Sequence, residues 1–292
     1  MFKGSIVALI TPFDAKGINE KKIRELVDWQ IKQGTNGIVP TGTTGESTTL
    51  THEEHRRVIE IVIEQVAGRV PVIAGTGSNS TAEAVSLTKH AAAAGANGAL
   101  LIAPYYNKPN QKGIFEHFKT VSANARIPII LYNHQGRTGV TIQPETIEAL
   151  SKAGNFVAVK DASGGINYSS EVLERTNGKV AILSGNDTWT LALMAIGAAG
   201  CISVTANVIP AKFSRMIDLF SKGEVVKARK LYYDILPIMN AMDIDVNPIP
   251  VKTAMGMLGK ASPDMRLPLT PLDKVKSAKL AAVLKAGGLI KK

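Results

Sequence analysis

The sequence repeats one pattern eight times: a short apolar run rich in β-branched residues, a turn rich in Gly, Asn and Thr, and a longer stretch with helical spacing. Near-continuous apolar strands that alternate with helices are typical of a parallel sheet covered by those helices. Eight such units close into a (β/α)8 TIM barrel, which is the α/β fold that we predict. The predicted strands are residues 6–11, 37–40, 70–74, 99–103, 127–132, 157–160, 181–184 and 202–205.

The strand pattern stops near residue 225, and three helical stretches follow at about 224–241, 248–259 and 271–286. We therefore predict a catalytic barrel over residues 1–223 and an appended helical region over 224–292. Because no low-complexity linker joins the two, we expect the helical region to pack on the barrel.

Two helix starts fit the capping box, in which a hydroxyl and a carboxylate satisfy the first N–H groups of the helix. One runs from Thr51 to Glu54 and the other from Ser80 to Glu83. Left-handed C-caps are expected at three glycines that follow helical stretches, Gly34, Gly95 and Gly197.

Composition narrows the class of protein. The single cysteine, Cys201, excludes an internal disulfide and a four-cysteine zinc site, which favours a reducing compartment. No apolar run reaches the length of about 20 residues that a membrane span needs, and the first apolar run is too short for a signal peptide, so we expect a cytoplasmic protein without a membrane partner.

The net charge of +10 comes from 34 Lys and Arg against 24 Asp and Glu. The basic residues are scattered and lack interleaved aromatic residues, which is typical of a solvated surface and not of a nucleic-acid partner. The charge could also attract small anionic substrates.

Active residues of such a barrel lie at the carboxyl ends of the strands and in the loops that follow. This rule selects six segments for the search: residues 41–47, 104–108, 132–139, 160–163, 184–187 and 203–207.

Lys160 ends one predicted strand, where strand alternation directs its side chain into the barrel. A buried ammonium is costly unless it is paired or deprotonated, and the neutral amine is the form that attacks a carbonyl to give a Schiff base. The alternative is a structural ion pair with a neighbouring acid such as Asp161, and position alone leaves both interpretations open. Lys252 is the comparable rival, but its place in the helical tail favours a structural role.

Tyr132 ends the preceding strand and would lie next to Lys160. Its phenol can shuttle a proton if further hydroxyls relay it, and Thr43, Thr44 and Tyr106 supply hydroxyls at other strand ends. Each alone is more typical of a core tyrosine or a turn threonine, so only their convergence favours catalysis.

Arg137 lies between Gly136 and Gly139 and could bind a carboxylate through its planar guanidinium, the alternative being a surface arginine. Neither residues 75–80 nor 42–47 complete a nucleotide-binding fingerprint. His52 and His55 lack the spacing of a zinc site, so we predict neither a metal nor an organic cofactor.

In combination, six motifs resemble the dihydrodipicolinate synthase family, part of the pyruvate-dependent class I aldolase group that includes N-acetylneuraminate lyase. The resemblance covers essentially the whole chain. The motifs are GTTGES at 42–47, PYYNKP at 104–109, YN with GRTG within 132–139, VKDASG at 159–164, SGND at 184–187 and NPIPVK at 247–252.

The resemblance implies that pyruvate forms an imine, loses a proton to give an enamine, and adds to L-aspartate 4-semialdehyde. Ring closure by the substrate's amine would release 4-hydroxy-tetrahydrodipicolinate, on the route to diaminopimelate and lysine. It also implies a homotetramer. In the implied site, Lys160 forms the imine and Tyr132 carries the proton. Thr43 and Tyr106 extend Tyr132 into a proton relay, and Tyr106 reaches into the site of a neighbouring subunit. Pyruvate is bound by Thr44, Ile202 and Gly185, and the carboxylate of the aldehyde is bound by Arg137.

This chain departs from the family pattern at His134 and Gln135, where an apolar residue and proline usually precede GRTG. We expect the loop that carries Arg137 to be less rigid as a result, which would affect aldehyde positioning. Asp161, where glutamate is usual, is a milder change.

Seven positions match those that bind feedback lysine in some members of the family: Ser47, Thr48, His52, His55, Asn79, Glu83 and Tyr105. Three of these residues also have a structural interpretation, because Glu83 is a capping partner and the two histidines lie at a helix start.

Two other functions also stay open. One is a sister aldolase that acts on N-acetylneuraminate or a 2-keto-3-deoxy sugar acid, and the other is a barrel without catalysis that serves as a binding protein.

Overall fold

The computed structural model describes residues 2–291. Eight parallel strands form one sheet, and a separate two-stranded hairpin follows the first of them. The predicted (β/α)8 fold class is confirmed. The strands are β1 Gly4–Ala8, the hairpin strands β2 Phe13–Asp14 and β3 Gly17–Ile18, β4 Gly37–Val39, β5 Ile73–Gly75, β6 Gly98–Ile102, β7 Ile129–Asn133, β8 Phe156–Asp161, β9 Ala181–Ser184 and β10 Gly200–Ser203.

Helices lie between the strands of the sheet and follow the last of them. They are α1 Glu20–Lys32, α2 His52–Val66, α3 Thr81–Ala94, α4 Gln111–Asn124, α5 Gln135–Thr138, α6 Pro144–Ala153, α7 Ile166–Arg175, α8 Thr190–Ala195, α9 Pro210–Ser221, α10 Val225–Ala241, α11 Ile249–Met257 and α12 Lys274–Ala286. Within residues 2–291, none of the helices is long and apolar enough to cross a membrane.

The chain divides into two compact units. The middle unit comprises Pro71–Ile202 with the residues up to Lys3, and the terminal unit comprises Gly4–Val70 with the residues from Ser203 onward. In the middle unit β5 to β10 pair in sequence order, all parallel, and buried residues such as Leu101, Ile114 and Phe118 form its core.

In the terminal unit β1 pairs with β4, and its core includes Ile6, Ile38 and Phe213. The three helices predicted after residue 224 are present as α10, α11 and α12. They belong to the same unit as Gly4–Val70, to which the segment around α11 is hydrogen-bonded. The domain boundary at residue 223 stays a prediction.

The capping box at Thr51 is complete, since its hydroxyl accepts from the Glu54 N–H and the Glu54 carboxylate accepts from the Thr51 N–H. At Ser80 only half of the prediction holds. The Ser80 hydroxyl accepts from the Glu83 N–H, but the Glu83 carboxylate accepts from the hydroxyl of Ser78. The three predicted left-handed glycines have φ angles of 89° at Gly34, 98° at Gly95 and 108° at Gly197.

Candidate active site

Lys160 and Tyr132 lie side by side at the carboxyl ends of β8 and β7. The register pairs Tyr132 with Lys160 directly, so both side chains leave the same face of the sheet. Both are buried, with 5% of Lys160 and 6% of Tyr132 exposed. The Lys160 Nζ lies 4.1 Å from the centroid of the Tyr132 ring. The structure thus brings together the two residues on which the predicted chemistry depends.

Asp161 engages serine side chains on the next loop and helix. Its carboxylate accepts hydrogen bonds from the Ser163 N–H at 2.9 Å, the Ser163 hydroxyl at 3.1 Å and the Ser169 hydroxyl at 2.7 Å. Consecutive strand residues also point to opposite faces, which separates this carboxylate from the Lys160 amine. These contacts argue against the structural ion pair that the sequence left open.

His134 follows β7 and packs against Tyr132, with ring centroids 5.9 Å apart in an edge-to-face arrangement. Burial lowers the pKa of His134 to about 4, and the positive charges of Arg137 and Lys160 act in the same direction. The imidazole is therefore uncharged at neutral pH. Sequence reasoning noted this residue only as a departure from the family pattern and gave it no contact with Tyr132.

Arg137 is exposed on the single turn of helix α5. The turn is closed by backbone hydrogen bonds from Arg137 to His134 at 3.0 Å and from Gly139 to Gln135 at 2.8 Å. The Thr138 hydroxyl adds a bond to the Val140 carbonyl at 2.8 Å. The segment without the family's proline is thus a hydrogen-bonded helical turn and not an open loop.

Gly185 and Ile202 lie at the ends of β9 and β10. The Gly185 N–H donates to the Asp161 carbonyl at 2.6 Å, and a Cβ at this position would lie 2.9 Å from that oxygen. Only glycine permits so close an approach of the two strand ends. Ile202 is fully buried. The substrate contacts predicted for both residues stay predictions.

Tyr106, on the loop after β6, is 88% exposed and has a left-handed backbone with a φ of 69°. An exposed tyrosine does not fit the convergence of hydroxyls within one chain that its residue type suggested. It does leave the side chain accessible to a second subunit, which is where the family resemblance places its role.

Thr43 and Thr44 lie in the terminal unit, on the loop that follows β4. Thr44 is buried, and its hydroxyl oxygen accepts a hydrogen bond from the Asn247 side-chain amide at 3.1 Å. Asn247 belongs to the NPIPVK motif, but sequence reasoning assigned it no role. The motif was the feature of the sequence that could have drawn attention to Asn247. The residues around position 247 do not indicate which loop its side chain contacts.

Lys252 is the structural lysine that the sequence predicted. Its fully buried ammonium donates to the Glu46 carboxylate and, at 2.9 Å, to the Thr11 carbonyl. It also lies 4.2 Å from the centroid of the Phe13 ring. Burial lowers the pKa of Lys252, against the opposing effect of Glu46.

The seven candidate lysine-binding residues fall into two groups, one in each unit. In the middle unit Tyr105, Asn79 and Glu83 are neighbours, and burial followed by the Glu83 charge raises the pKa of Tyr105. In the terminal unit Ser47 and Thr48 form a short 3-10 turn, and His52 and His55 begin helix α2. Ser78, which bonds to Glu83, was missed by sequence reasoning.

A family model described as the dihydrodipicolinate synthetase family matches residues 1–287. This chain belongs to that family. A relative from Geotalea uraniireducens (strain Rf4), named 4-hydroxy-tetrahydrodipicolinate synthase, is 53% identical over 290 residues, which are 99% of this chain and 100% of that protein.

Solved structures of the dihydrodipicolinate synthase family agree in fold. The chloride-inhibited enzyme from Acinetobacter baumannii, complexed with pyruvate, is 43% identical with a TM-score of 0.97, covering 99% of this chain and 100% of that one. The enzyme from Cyanidioschyzon merolae with lysine bound is 37% identical with a TM-score of 0.96, covering 99% of each chain. The chain is thus an enzyme of the lyase, class I aldolase type with a (β/α)8 fold. These findings support the synthase function and do not favour the sister aldolase or the non-catalytic barrel.

Proposed function

We propose that this enzyme condenses pyruvate with L-aspartate 4-semialdehyde, with Lys160 as the residue that forms the Schiff base. The observation that carries the proposal is the buried amine of Lys160 at a strand end, 4.1 Å from the Tyr132 ring centroid. An amine sheltered from water next to a phenol has the two groups that this chemistry needs, a nucleophile for the ketone and a proton carrier.

The steps follow from those two groups. The Lys160 nitrogen attacks the ketone carbon of pyruvate and water leaves, which forms the imine. The methyl carbon then loses a proton to give an enamine, which attacks the aldehyde carbon, and the resulting alkoxide takes up a proton. Finally the amine of the second substrate attacks the imine carbon, the bond to Lys160 breaks, and the ring of 4-hydroxy-tetrahydrodipicolinate is released.

The remaining residues of the proposed site take the roles that the family implies. Thr43 and Tyr106 extend Tyr132 into a proton relay, with Tyr106 acting in the site of a neighbouring subunit of a homotetramer. Thr44, Ile202 and Gly185 hold pyruvate, and Arg137 binds the carboxylate of the aldehyde. We place the enzyme in the cytoplasm, in the route to diaminopimelate and lysine, and we propose L-lysine as its feedback inhibitor.

Reductive trapping tests the proposal. Borohydride added with pyruvate should attach one reduced pyruvate to the protein, and peptide mapping should locate it at Lys160. The peptide that contains Lys252 is an internal control, because this lysine is also buried but is bonded to Glu46. An unmodified Lys160, or an adduct on another lysine, would refute the proposed role.

Tyr132→Phe separates the two proposed roles in the same assay. The variant keeps the aromatic ring and removes the hydroxyl, so pyruvate should still be trapped while the rate of condensation falls about 10²- to 10⁴-fold, the usual contribution of a positioned proton carrier. Condensation at the wild-type rate would exclude Tyr132 as the proton carrier.

A further inference from the structure

The hydrogen bond at Thr44 has a direction. The Asn247 amide N–H donates to the Thr44 hydroxyl oxygen at 3.1 Å. A hydroxyl has one proton and two acceptor lone pairs, so an oxygen that accepts from one side turns its own proton elsewhere. Thr44 is only 2% exposed, and a buried hydroxyl proton is stabilised by a hydrogen-bond acceptor. The Thr44 hydroxyl is therefore oriented to donate its proton to an acceptor.

The loop that carries Thr44 is fixed by further bonds within the terminal unit. The Glu46 carboxylate accepts from the Lys252 ammonium and, at 3.0 Å, from the Arg266 N–H. The Thr11 hydroxyl donates to the Gly45 carbonyl at 2.7 Å. These bonds hold the backbone on the carboxyl side of Thr44, and the Asn247 amide is the hydrogen-bond donor that contacts the Thr44 hydroxyl.

We propose that Asn247 is a positioning residue that orients the Thr44 hydroxyl to donate to the carboxylate of pyruvate. This rests on the proposed function, in which Thr44 holds pyruvate. An amide suits the task because its N–H side forces Thr44 to act as a donor without adding charge near an anionic substrate. A carboxylate of the same shape would do the opposite, since it would accept the Thr44 proton and repel the substrate.

The test compares Asn247→Asp with Asn247→Ala, using Thr44→Ser as the conservative control that keeps the hydroxyl. For Asn247→Asp we expect the KM for pyruvate to rise about tenfold or more, the size of a lost hydrogen bond to a charged group. The KM for the aldehyde should change less than about twofold, because the donor concerns the first substrate alone. Asn247→Ala should give a smaller rise in this KM, since it removes the donor to the Thr44 hydroxyl but does not add an acceptor that would compete for the hydroxyl proton.

A double variant distinguishes action through Thr44 from a direct effect of charge. In a Thr44→Ala background, Asn247→Ala should change the KM for pyruvate by less than about twofold, because the group on which it acts is gone. Equal effects of Asn247→Ala with and without the Thr44 hydroxyl would overturn the inference.

Borohydride trapping keeps this inference separate from the proposed function. If wild-type enzyme is not trapped by pyruvate, the proposed function fails. If wild-type enzyme is trapped and Asn247→Asp and Asn247→Ala, folded by circular dichroism, both keep the wild-type KM for pyruvate, the role of Asn247 fails alone. Should Asn247→Asp not fold, Asn247→Ala and the double variant still decide the question.

Discussion

At the scale of single residues, Lys160 and Lys252 show how partners decide the role of one side-chain type. Both are buried, but Lys252 donates to a carboxylate and a carbonyl, whereas Lys160 lies over the ring of Tyr132. The carboxylate of Asp161, the acid next to Lys160, accepts hydrogen bonds from the hydroxyls of Ser163 and Ser169. Lys252 thus has the partners of a buried ion pair, whereas Lys160 has the surroundings that the proposed Schiff-base chemistry requires.

The low pKa of His134, about 4, predicts a pH dependence of stability. An unfolded histidine titrates near 6.5, so the unfolded chain takes up a proton at a higher pH than the native protein does. The contribution of His134 to the free energy of unfolding is therefore complete above about pH 6.5 and is lost as the pH falls toward 4. His117, buried with a pKa also lowered to about 4, should behave in the same way.

Urea unfolding at pH 7 and pH 5 measures this effect. His134→Phe keeps an aromatic ring against Tyr132 and cannot titrate, so its loss of stability between the two pH values should be smaller than that of wild type. His117→Phe is the matched comparison. An unchanged difference in His134→Phe would show that His134 titrates normally.

At the scale of elements, the pattern of apolar runs predicted every strand of the sheet, because a strand covered by helices is apolar along its length whatever its neighbours are. The ends were less predictable. The first predicted strand reached residue 11, but β1 ends at Ala8, and the Ile10 N–H donates to the Asn207 side chain at 3.1 Å. A side chain that lies 197 positions away in the sequence thus replaces the sheet partner, and no local pattern reveals it.

The contact between α11 and the loop after β4 leads to a prediction for stability. Lys252→Met should lower the free energy of unfolding by about 3–5 kcal/mol, because it leaves the buried Glu46 carboxylate without its main partner. Adding Glu46→Gln should recover part of the loss, since the unpaired charge is then removed. Chemical denaturation of both variants measures this, and a loss below about 1 kcal/mol for Lys252→Met would contradict it.

At the scale of the whole molecule, regulation by lysine is a proposal that begins from one cluster of residues. Tyr105, Asn79 and Glu83 are neighbours in the middle unit, where a carboxylate and a phenol can bind an ammonium group. The oligomeric state stays a proposal. The exposed side chain of Tyr106 is the feature of this chain that a neighbouring subunit would cover.

Initial rates measured against L-lysine test the regulatory proposal. We expect inhibition at millimolar lysine, and we expect Glu83→Gln to weaken it while the KM for pyruvate stays within about twofold, because the negative charge that attracts the ligand is lost. Tyr105→Phe removes the phenol of the same cluster without changing its charge, so it should weaken inhibition less than Glu83→Gln does. Full activity of wild type at millimolar lysine would exclude feedback inhibition.

The sequence by itself determined the alternation of strands and helices and the positions of Lys160 and Tyr132 at neighbouring strand ends. Both follow from burial, which leaves a periodic pattern in adjacent residues. Only the tertiary structure decided which groups meet. Thr44 bonds to Asn247 across 203 positions of the chain, and Lys252 bonds to Glu46 across 206. A hydrogen bond depends on distance and direction in space, and neither is written in the spacing of residues along the chain.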